Sequence, residues 1–207
     1  DPNELTNSLG EILERVGVKQ LRVTETEKFA HLTYFLNCKE ENACEGEDRM
    51  MFDLYSDIPT HDHRPEMRAA DIAGTVVGAM TTKSHRVIFT NICNCDMVGH
   101  TGNFPAIVKA VEAVDAAVGL IVEAAIKNGY EVLVTADHGN AEETIDKKTG
   151  EPLTSHTLNK VPFIVVSERF LKLKKKESTL IDVAPTILEM LGIEKPAEMT
   201  GESLVGN

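Results

Sequence analysis

Strand-sized apolar runs alternate with helix-sized amphipathic ones along most of this chain, and that alternation limits its fold more than any other feature. RVIFTNI (Arg86 to Ile92) leads into a long apolar-faced helix that Pro105 opens and Asn128-Gly129 closes, and EVLVTA follows. Earlier, Ser8-Leu9-Gly10-Glu11 fits a capping box, with Leu9, Ile12, Leu13 and Val16 forming one helical face before Gly17. KQLRVT (Lys19 to Thr24) then reads as a strand and ETEKFAHLTYFLN as a short helix carrying Lys28 and His31. Pro65 opens another helix through Met67, Ile72, Val76, Val77 and Met80, VPFIVVS (Val161 to Ser167) is a further strand, and APTILEMLG is a final helix. Strands separated by helices of ten or more residues need crossover connections, so the expected class is α/β, a mostly parallel sheet sandwiched by helices. The polar, acidic text from Cys38 to Arg64 lacks clear periodicity and is expected to be an irregular surface excursion.

Composition narrows the function classes. A chain of 207 residues with 42% hydrophobic residues can bury a sizeable core, in one large domain or two small ones. The net charge of −12 argues against nucleic acid or anionic membrane as partner, since both demand clustered Lys and Arg. The one basic cluster, Lys172 to Lys176, is interleaved with leucine and reads as a solvated edge. No apolar run reaches the ~18 residues of a membrane helix, and no signal-peptide pattern is present, which predicts a cytoplasmic protein. Four cysteines are too few for a disulfide framework, so buried reduced thiols are expected. The chain opens on Asp1 rather than Met, which suits a processed chain or a piece of a longer one.

In open parallel sheets, ligands gather outside the carboxyl ends of the strands. RVIFTNI runs out into Asp96 and His100, VLVTA runs out into Asp137 and His138, and SHTLNKVPFIVV carries His156 just before a strand. A lone histidine beside a strand is ordinarily structural, but two carboxylates and three imidazoles at strand ends form a joint pattern that cations would neutralise. Nitrogen and oxygen donors without thiolate suit manganese or zinc, and two ions about 3.5–4 Å apart can hold the attacking and leaving oxygens of a phosphoryl transfer. Gly99, Gly102 and Gly139 beside these residues are expected to relieve crowding and to permit positive torsions.

TADHGNAE (Thr135 to Glu142), CDMVGHTGN (Cys95 to Asn103), ETEKFAHLTYFLN (Glu25 to Asn37), SHTLNKVPFIV (Ser155 to Val165), DVAPTILEMLG and EMTGESL together resemble the cofactor-independent phosphoglycerate mutases of the alkaline phosphatase superfamily. The resemblance spans nearly the whole chain, in the family's order. It implies an alkaline-phosphatase-like fold and a centre of two divalent ions, usually manganese, that interconverts 3-phosphoglycerate and 2-phosphoglycerate through a phosphoserine. It further implies that Asp96, His100 and His156 hold one ion, that Asp137 and His138 hold the other, and that Lys28 steadies the charge of the transferring phosphoryl group.

The family's nucleophilic serine lies in an NSEVGH-like amino-terminal segment, a further aspartate ligand lies in a DGWG-like strand end, and an arginine-rich substrate domain lies between the two parts. None of these is in the 207 residues. The expectation is therefore that 1–207 is the carboxyl-terminal part of the phosphatase-like domain, with an incomplete sheet, the missing amino-terminal segment and substrate domain as partners, one manganese on Asp96, His100 and His156, a weak second site on Asp137 and His138, and little or no activity alone. Cys38-Lys39-Glu40 replaces a family Gly pair, Cys95 stands where a proline is usual, and DLYSDIPTHDHRPEM only loosely follows the family pattern. A phosphopentomutase or phosphatase of the same superfamily, and a non-catalytic metal-binding or interaction module, remain as alternatives.

Overall fold

A computed structural model describes residues 5–174 and 177–206. The start of the first predicted helical segment, residues 1–4, and the last two lysines of the basic cluster, Lys175 and Lys176, lie outside the described residues. The elements run α1 (Leu9–Arg15), β1 (Gln20–Glu25), α2 (Thr26–Ala30), β2 (Glu47–Phe52), α3 (Ala69–Thr82), β3 (Val87–Thr90), α4 (Asn94–Gly99), α5 (Phe104–Asn128), β4 (Val132–Thr135), β5 (Phe163–Val166) and α6 (Val183–Leu191). Among the described residues no helix is long and apolar enough to cross a membrane.

The helix boundaries follow local chemistry. Ser8 and Glu11 make the reciprocal capping box, with the Ser8 amide donating to Glu11 Oε2 at 2.7 Å and the Glu11 amide to Ser8 Oγ at 3.3 Å. Gly129 and Gly192 end α5 and α6 in the left-handed conformation that costs glycine least. Val16, expected on the buried face of α1, instead caps the helix and is exposed. Helix α3 begins at Ala69 rather than at Pro65. Helix α2 continues into a π-helical turn, His31–Phe35, a widened winding that is often found at functional sites.

β1 lies at the centre of a three-stranded parallel sheet of order β2-β1-β3, with Gln20 opposite Glu47 on one side and Val87 on the other. Side chains alternate across it. Leu21 and Val23 face a core with Ile72, Val76 and Met80 of α3 and Ile121 and Ala125 of α5, whereas Val87 and Phe89 pack with Ile12, Leu13 and Leu188 of α1 and α6. A third cluster joins Met67, Cys93 and Val98 to Ala106, Ile107 and Ala110 at the start of α5, and thereby anchors α4.

Two expectations change. The excursion of residues 38–64 is not irregular throughout: it contains β2, a full partner of β1. Its register is fixed by a buried polar network rather than by an apolar stripe. Arg22 Nη2 lies 3.3 Å from Glu47 Oε2 and donates to Gln20 Oε1 and Asn37 Oδ1 at 2.8 and 2.9 Å, while Asn37 Nδ2 donates to Glu47 at 2.9 Å. Strand β5, in turn, runs antiparallel to β4 in a separate two-stranded sheet. Parallel pairing there would require a crossover helix, and the 136–162 connection is loop and turn stitched by the bridges Gly139↔Thr157 and Ile145↔Pro152.

The two sheets do not close on each other. β1 is buried along its whole length, whereas every residue of β3 and of β4 is only partly buried. A cavity of about 1000 Å³ separates them, lined by Val87, Ile88 and Phe89 on one side and Leu133 and Val166 on the other.

Candidate metal centre

The chain brings Asp96, His100, His138 and His156 to one point. Asp96 sits in the first turn of α4, and His100 caps that helix four residues on, so both side chains leave the same helical face. The sequence pattern gives no sign of this short helix, which Gly99 and Gly102 obscure. His138 follows β4, and His156 lies on the returning arm of the long loop before β5. The Nε2 atoms of His100 and His156 are 3.0 and 3.1 Å from Asp96 Oδ1 and 3.1 Å from each other. His138 Nε2 is 3.9 Å from the same oxygen and 3.5 Å from Asp137 Oδ2. The His138 and His156 rings stack at 3.6 Å with a 19° tilt.

Lys28 is buried here too, with Nζ 2.6 Å from Asp96 Oδ2. Asp137 is the outlying member, with 54% of its side chain exposed and, among the described residues, an ion-pair approach to His138 alone. His138 therefore stands within reach of both expected ligand groups, 3.9 Å from Asp96 Oδ1 and 3.5 Å from Asp137 Oδ2. A donor set of Asp96, His138 and His156 has ligand atoms mutually within 4.8 Å, and His100 adjoins it through Asp96 and His156.

Hydrogen bonds fix how the imidazoles present themselves. The Thr154 carbonyl can only accept, so its 2.7 Å contact keeps a proton on His100 Nδ1 and, in the neutral ring, leaves the Nε2 lone pair to face a cation. The Gly139 carbonyl does the same for His138 Nδ1 at 3.3 Å. Adjacent ligands of an octahedral ion held at about 2.1 Å lie about 3.0 Å apart, the spacing of the Asp96, His100 and His156 donor atoms. Burial opposes the charge of Asp96, but the Lys28 hydrogen bond and charge, with Asn140 and His100, outweigh it and hold the carboxyl below its usual range. The site residues thus fit a divalent cation in donor type, spacing and charge.

Two residues that sequence reasoning passed over support these ligands. Asn140 is buried and its Nδ2 donates to Asp96 Oδ1 at 3.1 Å and to the Asp96 carbonyl at 3.3 Å. Glu142 receives the Asn140 amide at 2.7 Å and Asn159 Nδ2 at 2.9 Å, and Thr157 Oγ1 also donates to it. The only sequence signal was the presence of two more polar side chains directly after the histidine turn. The cysteines take no part: burial and neighbouring acids push the Cys44 thiol up to about 12, and burial raises Cys93 and Cys95 as well. The four are free thiols.

Of the three glycines, only Gly102 has a positive φ, 68°. Gly99 and Gly139 are needed for close approach: a Cβ on Gly99 would lie 2.2 Å from Asn140 Oδ1, and one on Gly139 would lie 2.3 Å from both Glu142 Oε1 and Thr157 Oγ1. Gly99→Ala would ordinarily help a helix by ~0.5–1 kcal/mol. Here it is expected to cost about 1–2 kcal/mol, because Asn140 must swing off Asp96. Urea unfolding of the metal-free chain checks the sign; a gain in stability would show that Asn140 moves freely.

Beside His100 a recess of about 620 Å³ is lined by Glu27, Tyr55, His61, Asp62 and Thr101, so the end of the 38–64 excursion faces the centre. Tyr55 is held between the guanidinium groups of Arg64 and Arg68, at 3.9 and 3.8 Å from its ring centre. The larger cavity between β3 and β4 includes none of the site residues in its lining.

The metalloenzyme superfamily matches residues 1–195. The 2,3-bisphosphoglycerate-independent phosphoglycerate mutase 1 of Methanosarcina acetivorans is 53% identical over 202 residues, 98% of this chain but 39% of that protein. The corresponding mutase of Gloeobacter violaceus is 47% identical, covering 99% of this chain and 39% of its own length. A crystal structure of Leishmania mexicana phosphoglycerate mutase at low cobalt concentration superimposes with a TM-score of 0.86 at 30% identity, over 98% of this chain and 40% of that one. The chain thus spans about two fifths of the length of the curated relatives it matches. It belongs to the metalloenzyme superfamily, with the alkaline-phosphatase-like fold, and corresponds to the C-terminal part of the 2,3-bisphosphoglycerate-independent phosphoglycerate mutases.

Proposed function

We propose that this chain is the metal-holding part of a cytoplasmic, glycolytic phosphoglycerate mutase that interconverts 3-phosphoglycerate and 2-phosphoglycerate through a phosphoserine. The convergence of three imidazole Nε2 atoms on Asp96 Oδ1, with Lys28 on the other oxygen, carries the reading. Two divalent ions, manganese above all, are the proposed occupants, one on Asp96, His100 and His156 and the other on Asp137 and His138. When bound, they polarise a phosphoryl oxygen and acidify a hydroxyl nucleophile. Lys28 holds Asp96 ionised and turned toward the histidines, and its ammonium lies where it can also meet a phosphoryl oxygen. The recess beside His100 offers room for the glycerate.

The serine and the remaining ligand to the second ion belong to the part of the protein that the relatives carry beyond this chain. The cavity between β3 and β4 is the proposed seat of that part. Both facing strand edges are unpaired in the described residues, and strands in a sheet stand ~4.8 Å apart, so an inserted strand would pair with both.

Calorimetric titration with Mn²⁺ and a mutase assay test this together. The isolated chain is expected to bind Mn²⁺ and to give no turnover, and co-expression with the remainder of the M. acetivorans protein is expected to restore activity. Failure to bind Mn²⁺ removes the metal-centre reading. Robust turnover by this chain alone places the nucleophile within it instead.

A further inference from the structure

Glu142 is not among the residues to which the family resemblance gives a role, and its surroundings give it one. It stands on the turn after His138, where its carboxylate spans two loops. Oε2 accepts the Asn140 amide at 2.7 Å; Oε1 accepts Thr157 Oγ1, and also Asn159 Nδ2 at 2.9 Å. The Thr157 amide donates to the Gly139 carbonyl at 2.9 Å, which pairs the residue after His138 with the residue after His156. One position back along each loop, the two imidazoles stack. Asn140, whose backbone Glu142 holds, reaches Asp96 with its side chain. The absence of a Cβ at Gly139 gives the carboxylate its place, since an added carbon would strike both Glu142 and Thr157.

We propose that Glu142 is a positioning residue that clamps the His138 loop to the His156 loop through Thr157 and Asn159, setting His156 and, through Asn140, Asp96 in the arrangement that receives the cation. The inference rests on the metal-centre reading for its functional consequence, but the clamp itself is a property of the metal-free chain. Supporting groups of this kind typically alter metal affinity 10- to 100-fold when removed. Hydrogen bonds from Thr157, Asn159 and nearby amides outweigh the opposing effect of burial and draw the Glu142 carboxyl to about 2, so the clamp carries its charge at neutral pH.

The test uses two readouts on the full chain, with Mn²⁺ as the probe. Glu142→Ala is expected to speed hydrogen exchange of the Thr157 amide at least about tenfold and to weaken Mn²⁺ binding about 10- to 100-fold. The metal-free unfolding midpoint should stay within a few degrees of wild type, which a general loss of structure would not allow. Glu142→Gln keeps an acceptor for Thr157 and Asn159, so it should preserve Thr157 protection and lose less affinity. Thr157→Val, which removes only the hydroxyl, should reproduce the affinity loss if Glu142→Ala fails to fold. Wild-type affinity in Glu142→Ala, or unchanged protection of Thr157, overturns the proposal. If wild type itself takes up no Mn²⁺, the metal-centre reading fails and the exchange measurement alone decides whether the clamp exists.

Discussion

Asp96→Asn is expected to weaken Mn²⁺ binding by more than about 100-fold, beyond what loss of a supporting group produces. The amide keeps the shape of the side chain, so the change isolates charge. Wild-type Asp96 is 13% exposed and meets every other member of the centre except Asp137: Lys28 on Oδ2, and His100, His156, His138 and Asn140 around Oδ1. Neutralising it removes the anionic donor and leaves the Lys28 ammonium, itself 9% exposed, without its counter-charge. A buried cation beside the site then opposes the entering one. Calorimetry with Mn²⁺ measures the effect, and hydrogen exchange at α4 in the metal-free variant guards against mere unfolding. Wild-type affinity in a folded Asp96→Asn chain would mean that the ion sits elsewhere.

Much of this centre was legible in the sequence because its residues flank strands. Asp96, His100, Asp137, His138 and His156 each stand beside an apolar run that could only be a strand, and parallel sheets collect ligands at that end. Their grouping was less legible. Assigning them to two ions follows from resemblance, whereas distances depend on how two loops with no regular pairing of their own, residues 136–162, fold over α4. Glu142 and Asn140 went unread for the same reason: apart from the bond between the two, the partners that tie them to the site lie 15 to 44 residues away.

The fold shows the same division. The helix caps at Ser8, Gly129 and Gly192 are local chemistry and were readable. Strand β2 was not, because EDRMMF carries its inward-facing positions as charges: Glu47 is buried while Met50 and Met51 are exposed. A search for apolar alternation passes over such a strand. The backbone before it is also unusual, since Cys38 and Lys39 take positive φ values of 56° and 74° where the family's Gly pair would sit without strain.

That buried charge makes β2 the place where one substitution should cost the most stability. Arg22 is 1% exposed, and the Glu47 side chain is fully buried 3.3 Å from it. Glu47 also receives Arg49 Nε at 2.6 Å. Replacing Glu47 with Ala leaves the Arg22 guanidinium buried and uncompensated, and it cannot escape by losing its proton. Removing one partner of such a pair costs about 3–5 kcal/mol, which for a chain of this size lowers the unfolding midpoint by about 10 °C. Arg22→Met combined with Glu47→Leu should cost less than Glu47→Ala alone, since the charge left without a partner is then the partly exposed Arg49 rather than the buried Arg22. The pH dependence has a definite sign. Burial opposes the Glu47 charge, but hydrogen bonds from Asn37 and Arg49 and the charge of Arg22 outweigh it and hold the folded carboxyl below its ordinary value. The folded value is lower than the unfolded one, so the contribution is complete above the ordinary glutamate range, about pH 4.3, and is lost as pH falls through the folded value. Glu47→Ala should therefore flatten the acid limb of the stability curve as well as lower it. A loss below about 1 kcal/mol, the scale of an exposed ion pair, would mean that water reaches Arg22 and that β2 is held by its backbone pairing alone.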